Sequence, residues 1–505
     1  VISVSREAAV DEGTIPQRLS ASDSLMWRIE SDPVLRSPIL VVGLLDRSPT
    51  PEGLEAAIDR AVAALPRLRQ RIVAPPLGLG RPRWEDAGEP SQAHHVRRVR
   101  APGGDLDSVL EVAQPDAVAA FDPARPPWTL TVVDGLDGGR AAIVLRFHHA
   151  ITDGIGGIEL AQRLFDRKRR PTRSGRNGPG TEAGATSGTG TPASAPVPAA
   201  PTPAPAVPPL AELVTGAAGA VAQVSRDVLD LSRQALGAAT RRPGDLVAAP
   251  LRLGRSAARL LAPATGGGSP ALAGRSLDRW LSTTERPLER VRAAAHATGG
   301  TVNDVLLAAV AGGLYAYHKA QGQPVGAVRV TMPISIRREG DPVGGNRFVP
   351  ARFTLPIDDP DPRMRVKIAG AIVRRWRAEP ALGATGLLAG GLNMLPGPVV
   401  TRLFGEMLRS IDVDVVDVPG LDRRAFLGGA RIDRLWAFAP PTGAALSITL
   451  LSHEGVCCLG LACDRLAVTD PELLAGCLGD ALDELLALGG PAARSPGRPA
   501  RRGSA

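Results

Sequence analysis

Apolar residues in this chain follow two rhythms that alternate along it. Runs such as Ile39–Leu44, Leu130–Val133 and Ala141–Phe147 are almost continuously aliphatic over strand-like lengths, whereas Pro51–Leu65 and Ile155–Phe165 place apolar residues three and four apart. The first rhythm predicts mostly buried strands and the second predicts amphipathic helices. Their alternation predicts an α/β sandwich domain over residues 1–170. The same mixture returns later. Val305, Leu306, Ala309, Val310, Leu314 and Tyr317 lie on one helical face, and Thr301 followed by Asp304 forms a capping box at its start. Leu446–Leu451 and Val456–Ala462 read as a strand pair joined through Ser452–Gly455, completing a second domain over residues 276–488.

Between these domains the pattern breaks. Residues 171–209 are rich in Pro, Ala, Gly, Ser and Thr, with almost no large apolar side chain to offset chain entropy, which predicts a disordered linker. Residues 210–275 recover helical spacing at Val221, Val224, Val228 and Leu231. A second piece there sets Arg252, Arg255 and Arg259 against Leu253, Leu260 and Leu261, predicting a helical connector that packs at the domain junction or lies on an anionic lipid surface. A basic tail is expected over 489–505.

Composition narrows the function classes. With 505 residues and 44% apolar content the chain can build two sizeable cores. The net charge of +8 suits polyanionic ligands, but aromatics are only 3% and much of the conspicuous basic sequence lies in Arg163–Arg176 and Arg494–Arg502, so no nucleic-acid partner is expected. Cys457, Cys458, Cys463 and Cys477 lie in one late stretch without a CxxC pair, and Cys457 and Cys463 share strand parity with Leu459 and Leu461. They read as core residues and not as a metal site or a disulfide framework. The opening residues lack the basic region and apolar core of a secretory signal, and the longest membrane candidate, Leu213–Val224, falls short of the roughly 20 apolar residues a span needs. The expectation is a cytoplasmic chain, peripheral to the inner membrane or to lipid bodies.

The chemistry concentrates in His148-His149-Ala150-Ile151-Thr152-Asp153-Gly154, where a predicted strand runs into a predicted helix. Strand alternation puts His149 on the face of Ile143, Leu145 and Phe147, and His148 on the face of Arg146. An imidazole with a pKa of about 6.5 can take a proton from an attacking hydroxyl, so His149 is expected to be the general base and His148 to act through folding. Asp153 is expected to order the turn by a salt bridge, with Arg146 among the partners, or to orient an imidazole; Gly154 is expected to supply backbone freedom. A second pair, His94-His95, precedes the basic run Val96–Arg100 without an Asp-Gly and reads as the start of a strand. His296 and His318 fall on helices, and His453 reads as a surface residue of a hairpin loop. No serine or cysteine sits beside the motif as in G-x-S-x-G, which favours direct transfer over an acyl-enzyme.

HHxxxDG resembles the signature of the CoA-dependent acyltransferase superfamily. The order of further blocks makes the chain similar to bacterial wax ester synthase/diacylglycerol acyltransferases: Leu19–Trp27, Pro66–Arg71, Phe121-Asp122 with Pro126-Pro127-Trp128, Thr301–Val305, and Pro333–Arg337 followed by Gly345-Asn346. Two blocks depart from the pattern, with Pro-Pro-Trp for Pro-Leu-Trp and Val416–Leu421 for Ser-Asn-Val-Pro-Gly-Pro; Leu395–Pro398 resembles the latter but has the wrong spacing. The resemblance implies two chloramphenicol-acetyltransferase-like sandwich domains, each a mixed sheet flanked by helices, with a tunnel at their interface. It also implies transfer of a long-chain acyl group from acyl-CoA to a lipid hydroxyl acceptor, most simply diacylglycerol, with a fatty alcohol as a further acceptor and with no metal or bound cofactor. It brings Asn303 and Asp304 into consideration as oxyanion or structural support, against plain helix capping. The alternatives are a condensation-type enzyme taking a carrier-bound thioester, and a non-catalytic lipid-surface protein of the same fold.

Overall fold

The computed structural model describes residues 18–75, 81–169, 268–336, 346, 348–378, 393 and 397–490. The expected linker, the connector through residue 267, the residues beyond 490, Arg337 and Gly345 lie outside the described residues.

In chain order the first half contains α1 (Ala21–Ile29), β1 (Pro38–Leu45), α2 (Pro51–Ala64), β2 (Gln70–Val73), β3 (Arg83–Asp86), α3 (Gln92–His95), β4 (Val96–Arg100), α4 (Leu106–Ala113), β5 (Trp128–Asp134), β6 (Ala141–His148) and α5 (Gly154–Leu164). The second half contains β7 (Arg279–Pro287), α6 (Leu288–Thr298), α7 (Val302–Ala320), β8 (Ala327–Ser335), β9 (Phe348–Pro356), α8 (Pro362–Arg377), α9 (Gly397–Arg409), β10 (Val413–Leu421), β11 (Ala425–Leu427), β12 (Ala430–Phe438), β13 (Leu446–His453), β14 (Val456–Asp464) and α10 (Pro471–Ala487). Local chemistry sets several of these starts. Thr50 accepts from the Gly53 N–H ahead of Pro51 at the first turn of α2, and Thr301 and Asp304 form the reciprocal capping box of α7.

Two six-stranded mixed sheets result. The first has the order β11-β12-β1-β6-β5-β4 and the second β7-β14-β13-β10-β8-β9. The hairpin β11–β12 belongs to the second half of the chain but extends the first sheet, with Leu40 opposite Phe438 and Val42 opposite Trp436. The two halves are therefore interlocked by main-chain hydrogen bonds as well as by side chains.

β6 is buried on both faces, as its continuous apolar run requires. Ile143 and Phe147 enter a core shared with α2, α5, Val418 and Leu451, whereas Ala142 and Val144 pack with Leu281, Cys458 and Ala462 of the second sheet. The cysteines follow the same alternation. Cys457 and Cys463 join the large core of the second half, Cys458 faces the other way, and all four thiols are free.

Two expectations are corrected by the structure, and a third gains detail. His94-His95 does not begin the strand: both residues close the short α3, and β4 starts at Val96. His453 is not at the surface; it ends β13, is fully buried, and its Nε2 lies 3.3 Å from the Ile432 carbonyl, while the turn itself is Glu454-Gly455, both with positive φ. His318 does fall on α7, but fully inside, with Nδ1 donating to the Leu314 carbonyl and Nε2 meeting the Ser269 hydroxyl at 2.5 Å.

Candidate active site

The last ladder pair between β6 and β1 joins His148 to Pro38, after which the chain turns. Main-chain bonds from His148 N to Pro127 O (2.9 Å) and from His149 N to Ser37 O (3.2 Å) hold the two histidines against neighbouring segments as the strand ends.

His148 is fully buried. Its Nδ1 accepts from the Ala150 N–H at 2.9 Å and its Nε2 lies 2.8 Å from Glu30 Oε1, a carboxylate oxygen that also accepts from Ser37 N–H at 2.6 Å. Trp27 and Phe121 meet the ring edge-on at 4.9 and 5.8 Å. Nδ1 is thus hydrogen-bonded within the fold and Nε2 is buried against a carboxylate without hydrogen-bond geometry, which leaves His148 an architectural part. Arg146 shares its side of β6, as parity predicts, and it too faces Glu30.

His149 differs at every point. Its side is only partly buried, and Nδ1 sits 2.9 Å from Asn346 Oδ1, a residue of the second half. Asn346 Nδ2 in turn donates to Asp23 Oδ1 at 2.6 Å and to the His149 main-chain carbonyl at 2.9 Å. Phe348 covers one side of the ring at 5.4 Å. Burial pushes the imidazole pKa below its ordinary value; Asp153, the residue's own carbonyl and Asn346 act against that, and His148 adds to it. Asp23, buried on α1, has its carboxyl pushed up by burial and pulled back by Ser20, Arg67 and Asn346. The Arg67 guanidinium stands over Trp84 at 5.2 Å.

Asp153 accepts from the Gly156 N–H at 2.9 Å as the N-cap of α5, so it orders the turn directly. The expected pairing with Arg146 is corrected: that guanidinium donates to the Ala119 carbonyl at 2.5 Å and lies over the Phe121 ring, and the acids whose charges act on it are Asp116 and Glu30. Burial pulls its pKa down to about 10. The role of Gly154 is corrected as well. Its backbone does not have the positive φ that glycine uniquely tolerates. The need is steric, because a Cβ there would stand 2.9 Å from Val418 Cγ2 on β10. The Val416–Leu421 block thus packs against the first turn of the motif helix.

Asp304 is spent on the capping box, its Oδ2 accepting from Thr301 N–H at 2.9 Å. Asn303 is buried beside it with Nδ2 lacking a hydrogen-bond partner among the described residues. No hydrogen bond or ring contact among the described residues joins either one to His149. The residues that sequence reasoning missed are Asn346, Asp23, Glu30 and Val418. Asn346, Asp23 and Val418 lie inside the blocks that carry the resemblance, but nothing local separates Asp23 from an ordinary first-turn acid of a helix.

Residues 19–306 match the wax ester synthase/diacylglycerol acyltransferase catalytic domain, and residues 344–486 match the C-terminal domain of the same family. A Mycobacterium tuberculosis protein that carries the name "Putative diacyglycerol O-acyltransferase" is 34% identical over 482 residues, covering 95% of this chain and 94% of its own length. A second protein of that organism and name is 28% identical over 491 residues, covering 93% of this chain and 97% of its own. Among solved structures, the wax ester synthase/diacylglycerol acyltransferase of Marinobacter aquaeolei VT8 superposes with a TM-score of 0.57 at 18% identity, covering 94% of this chain and all of that one. The first condensation domain of the CDA synthetase does so at 0.55 and 19%, covering 95% and 98%. At these identities the two structures speak for the fold, the pair of mixed sheets flanked by helices; with the domain matches and the 34% identical relative beside them, this chain is an acyltransferase of the wax ester synthase/diacylglycerol acyltransferase family.

Proposed function

We propose that this chain moves a long-chain acyl group from acyl-CoA to the hydroxyl of diacylglycerol, giving triacylglycerol, and that a fatty alcohol serves as a second acceptor, giving a wax ester. The observation that carries this reading is the contrast within the HH pair: His148 has Nδ1 hydrogen-bonded to the main chain and Nε2 set against the Glu30 carboxylate at 2.8 Å, whereas His149 has Nδ1 held by Asn346 from the other half of the chain and no hydrogen-bond partner at Nε2 among the described residues. His149 takes the hydroxyl proton at Nε2 as the acceptor oxygen forms its bond to the thioester carbonyl carbon. The tetrahedral oxyanion then collapses, the C–S bond breaks, and the imidazolium returns the proton to the departing thiolate, so that ester and free CoA leave in equal amount. Asp153 supplies a negative charge that favours the imidazolium as it forms. The candidate oxyanion donors are a main-chain N–H near Gly154, where a helix start leaves N–H groups without intrahelical partners, and Asn303. The thioester carries its own leaving group, so acyl-CoA is a substrate and no step is assigned to a metal or bound cofactor.

Both acyl chain and acceptor are insoluble in water, so we assign the protein a peripheral place on a membrane or lipid-body surface. Two features support that assignment: the net charge of +8, and Val399 and Leu403 one turn apart on α9, each about half exposed. Among the described residues no helix is long and apolar enough to cross a membrane.

The test is release of CoA thiol from a long-chain acyl-CoA with diacylglycerol, with a long-chain alcohol, or with no acceptor. Release that depends on acceptor, with ester in matching amount, is expected. Equal release without acceptor would make the protein a thioesterase, and no release from any acyl-CoA by folded protein would overturn acyl-CoA as donor.

A further inference from the structure

The amide of Asn346 meets four groups, Met26 Sδ at 3.8 Å among them, and two of them decide which way it points. Nδ2 lies 2.9 Å from the His149 main-chain oxygen and 2.6 Å from Asp23 Oδ1. A main-chain carbonyl can only accept, so the atom facing it is the amide NH2 whatever the protonation of Asp23. The other amide atom is then an oxygen, and it faces His149 Nδ1 at 2.9 Å. An amide oxygen also only accepts. Nδ1 must therefore carry a hydrogen, and in the neutral ring Nε2 carries the lone pair. Free imidazole side chains in water populate both tautomers, and only one of them can act as a base at Nε2.

We propose that Asn346, anchored by Asp23, is a positioning residue that holds His149 in the Nδ1–H tautomer and so makes Nε2 the basic atom, an inference that rests on the reading of His149 as the base. The His149 carbonyl, which favours the same protonated Nδ1, is itself held by the Asn346 amide, so one side chain controls both contacts. Arg67 stands behind Asp23 and opposes the effect of burial on its carboxyl, keeping an acceptor in place for Nδ2. Three blocks far apart in sequence, Leu19–Trp27, Pro66–Arg71 and the residue after Gly345, thereby act on one imidazole. The charged or titratable neighbours of that ring are Asp153 at the start of α5 and His148 on β6, with Glu30 beyond His148 and Asp23 and Arg67 beyond Asn346.

Selective 15N labelling of histidine, with long-range proton–nitrogen correlation of the rings, reads the tautomer without reference to activity; the His149 signal is assigned by its loss in His149→Gln. The wild type at neutral pH is expected to show Nδ1–H at His149. Asn346→Ala is expected to mix the tautomers and lower kcat at least about tenfold, a part of what a lost base costs, with KM for acyl-CoA little changed. Asn346→Asp, made together with Asp23→Asn so that two buried carboxyl groups do not meet at 2.6 Å, keeps an acceptor at Nδ1 and moves the negative charge from Asp23 to the atom beside the ring, which stabilises the imidazolium and moves the acidic limb of kcat/KM to higher pH. It carries the test if the alanine variant fails to fold, since a merely structural role would not move that limb. Nε2–H in the wild type, or an unchanged tautomer and limb in folded variants, overturns the proposal. An Nδ1–H signal that Asn346→Ala disperses, in a protein whose turnover survives His149→Ala, would keep the clamp and remove the base.

Discussion

Two histidine pairs in this chain look alike in sequence and differ in what surrounds them. In His94-His95 the buried ring is the second: His95 stacks on Trp128 at 4.5 Å with Nδ1 2.8 Å from the Trp128 carbonyl, and its pKa is pushed down by burial. His94 is exposed, with Asp122 and Arg125 near it. In His148-His149 the buried ring, bonded at Nδ1 and set against Glu30, is the first, and the second meets Asn346 from the other half of the chain and Asp153 from the helix start. Each pair thus contains one ring used as architecture. Both remaining rings have a carboxylate nearby, Asp122 for His94 and Asp153 for His149; what separates them is that only His149 is met by a fixed hydrogen-bond acceptor from the other half of the chain. Chemistry at an HH pair is conferred by the elements that converge on it.

The sharpest way to break this comparison is to remove the proposed base. His149→Ala is expected to lower kcat by at least about 100-fold, with KM for acyl-CoA nearly unchanged, because the base acts only as the transition state forms. Steady-state kinetics on protein with a wild-type melting curve checks it. The pH profile sharpens the same point. A neutral imidazole is the active form and burial lowers its pKa, so activity should hold as pH falls through the ordinary histidine value of 6.5 and drop only below it. An acidic limb well above that value would mean that another group limits the rate.

A smaller effect, and of another kind, is expected at the neighbouring residue. His148→Ala removes the acceptor for the Ala150 N–H and leaves Glu30 without its imidazole partner in a mostly buried place. Unsatisfied buried groups of this sort cost on the order of 2 to 4 kcal/mol together, which should appear as a lower denaturation midpoint. Activity should fall in step with the folded fraction. Full stability with abolished turnover would reverse the roles assigned to the two residues.

Much of the site's scaffold was legible from period and caps, because β6, α5, the α7 capping box and the β13–β14 hairpin are each specified by residues within a few positions of one another. Parity along β6 even separated His148, on the Arg146 side, from His149. What stayed hidden was set by distance along the chain. Asp23 and Asn346 are 323 residues apart, and no local pattern says that an acid in the first turn of α1 will hold an amide from the second half. Nor does the apolar run of β12 say which sheet it will join, since a strand buried on both faces suits either one. Glycine usually signals backbone freedom, which is what the sequence suggests at Gly154, but its small size against Val418 is what the fold uses. His453 was placed outside because its neighbours form a turn, although the turn begins one residue later.

The smallest expected effect completes the comparison. His94 is exposed at the end of α3, and its ring meets only the edge of the buried His95, 5.1 Å away between centroids, beside Asp122 and Arg125. Solvent can replace what that side chain does, so His94→Ala should change stability by no more than about 0.5 kcal/mol and leave kcat and KM at wild-type values. Thermal denaturation and the acceptor-dependent thiol-release assay check both parts. A loss of turnover approaching that of His149→Ala, in protein of unaltered stability, would show that the first pair takes part in the reaction after all, and that convergence of Asn346 and Asp153 is not what distinguishes a reactive pair from an inert one.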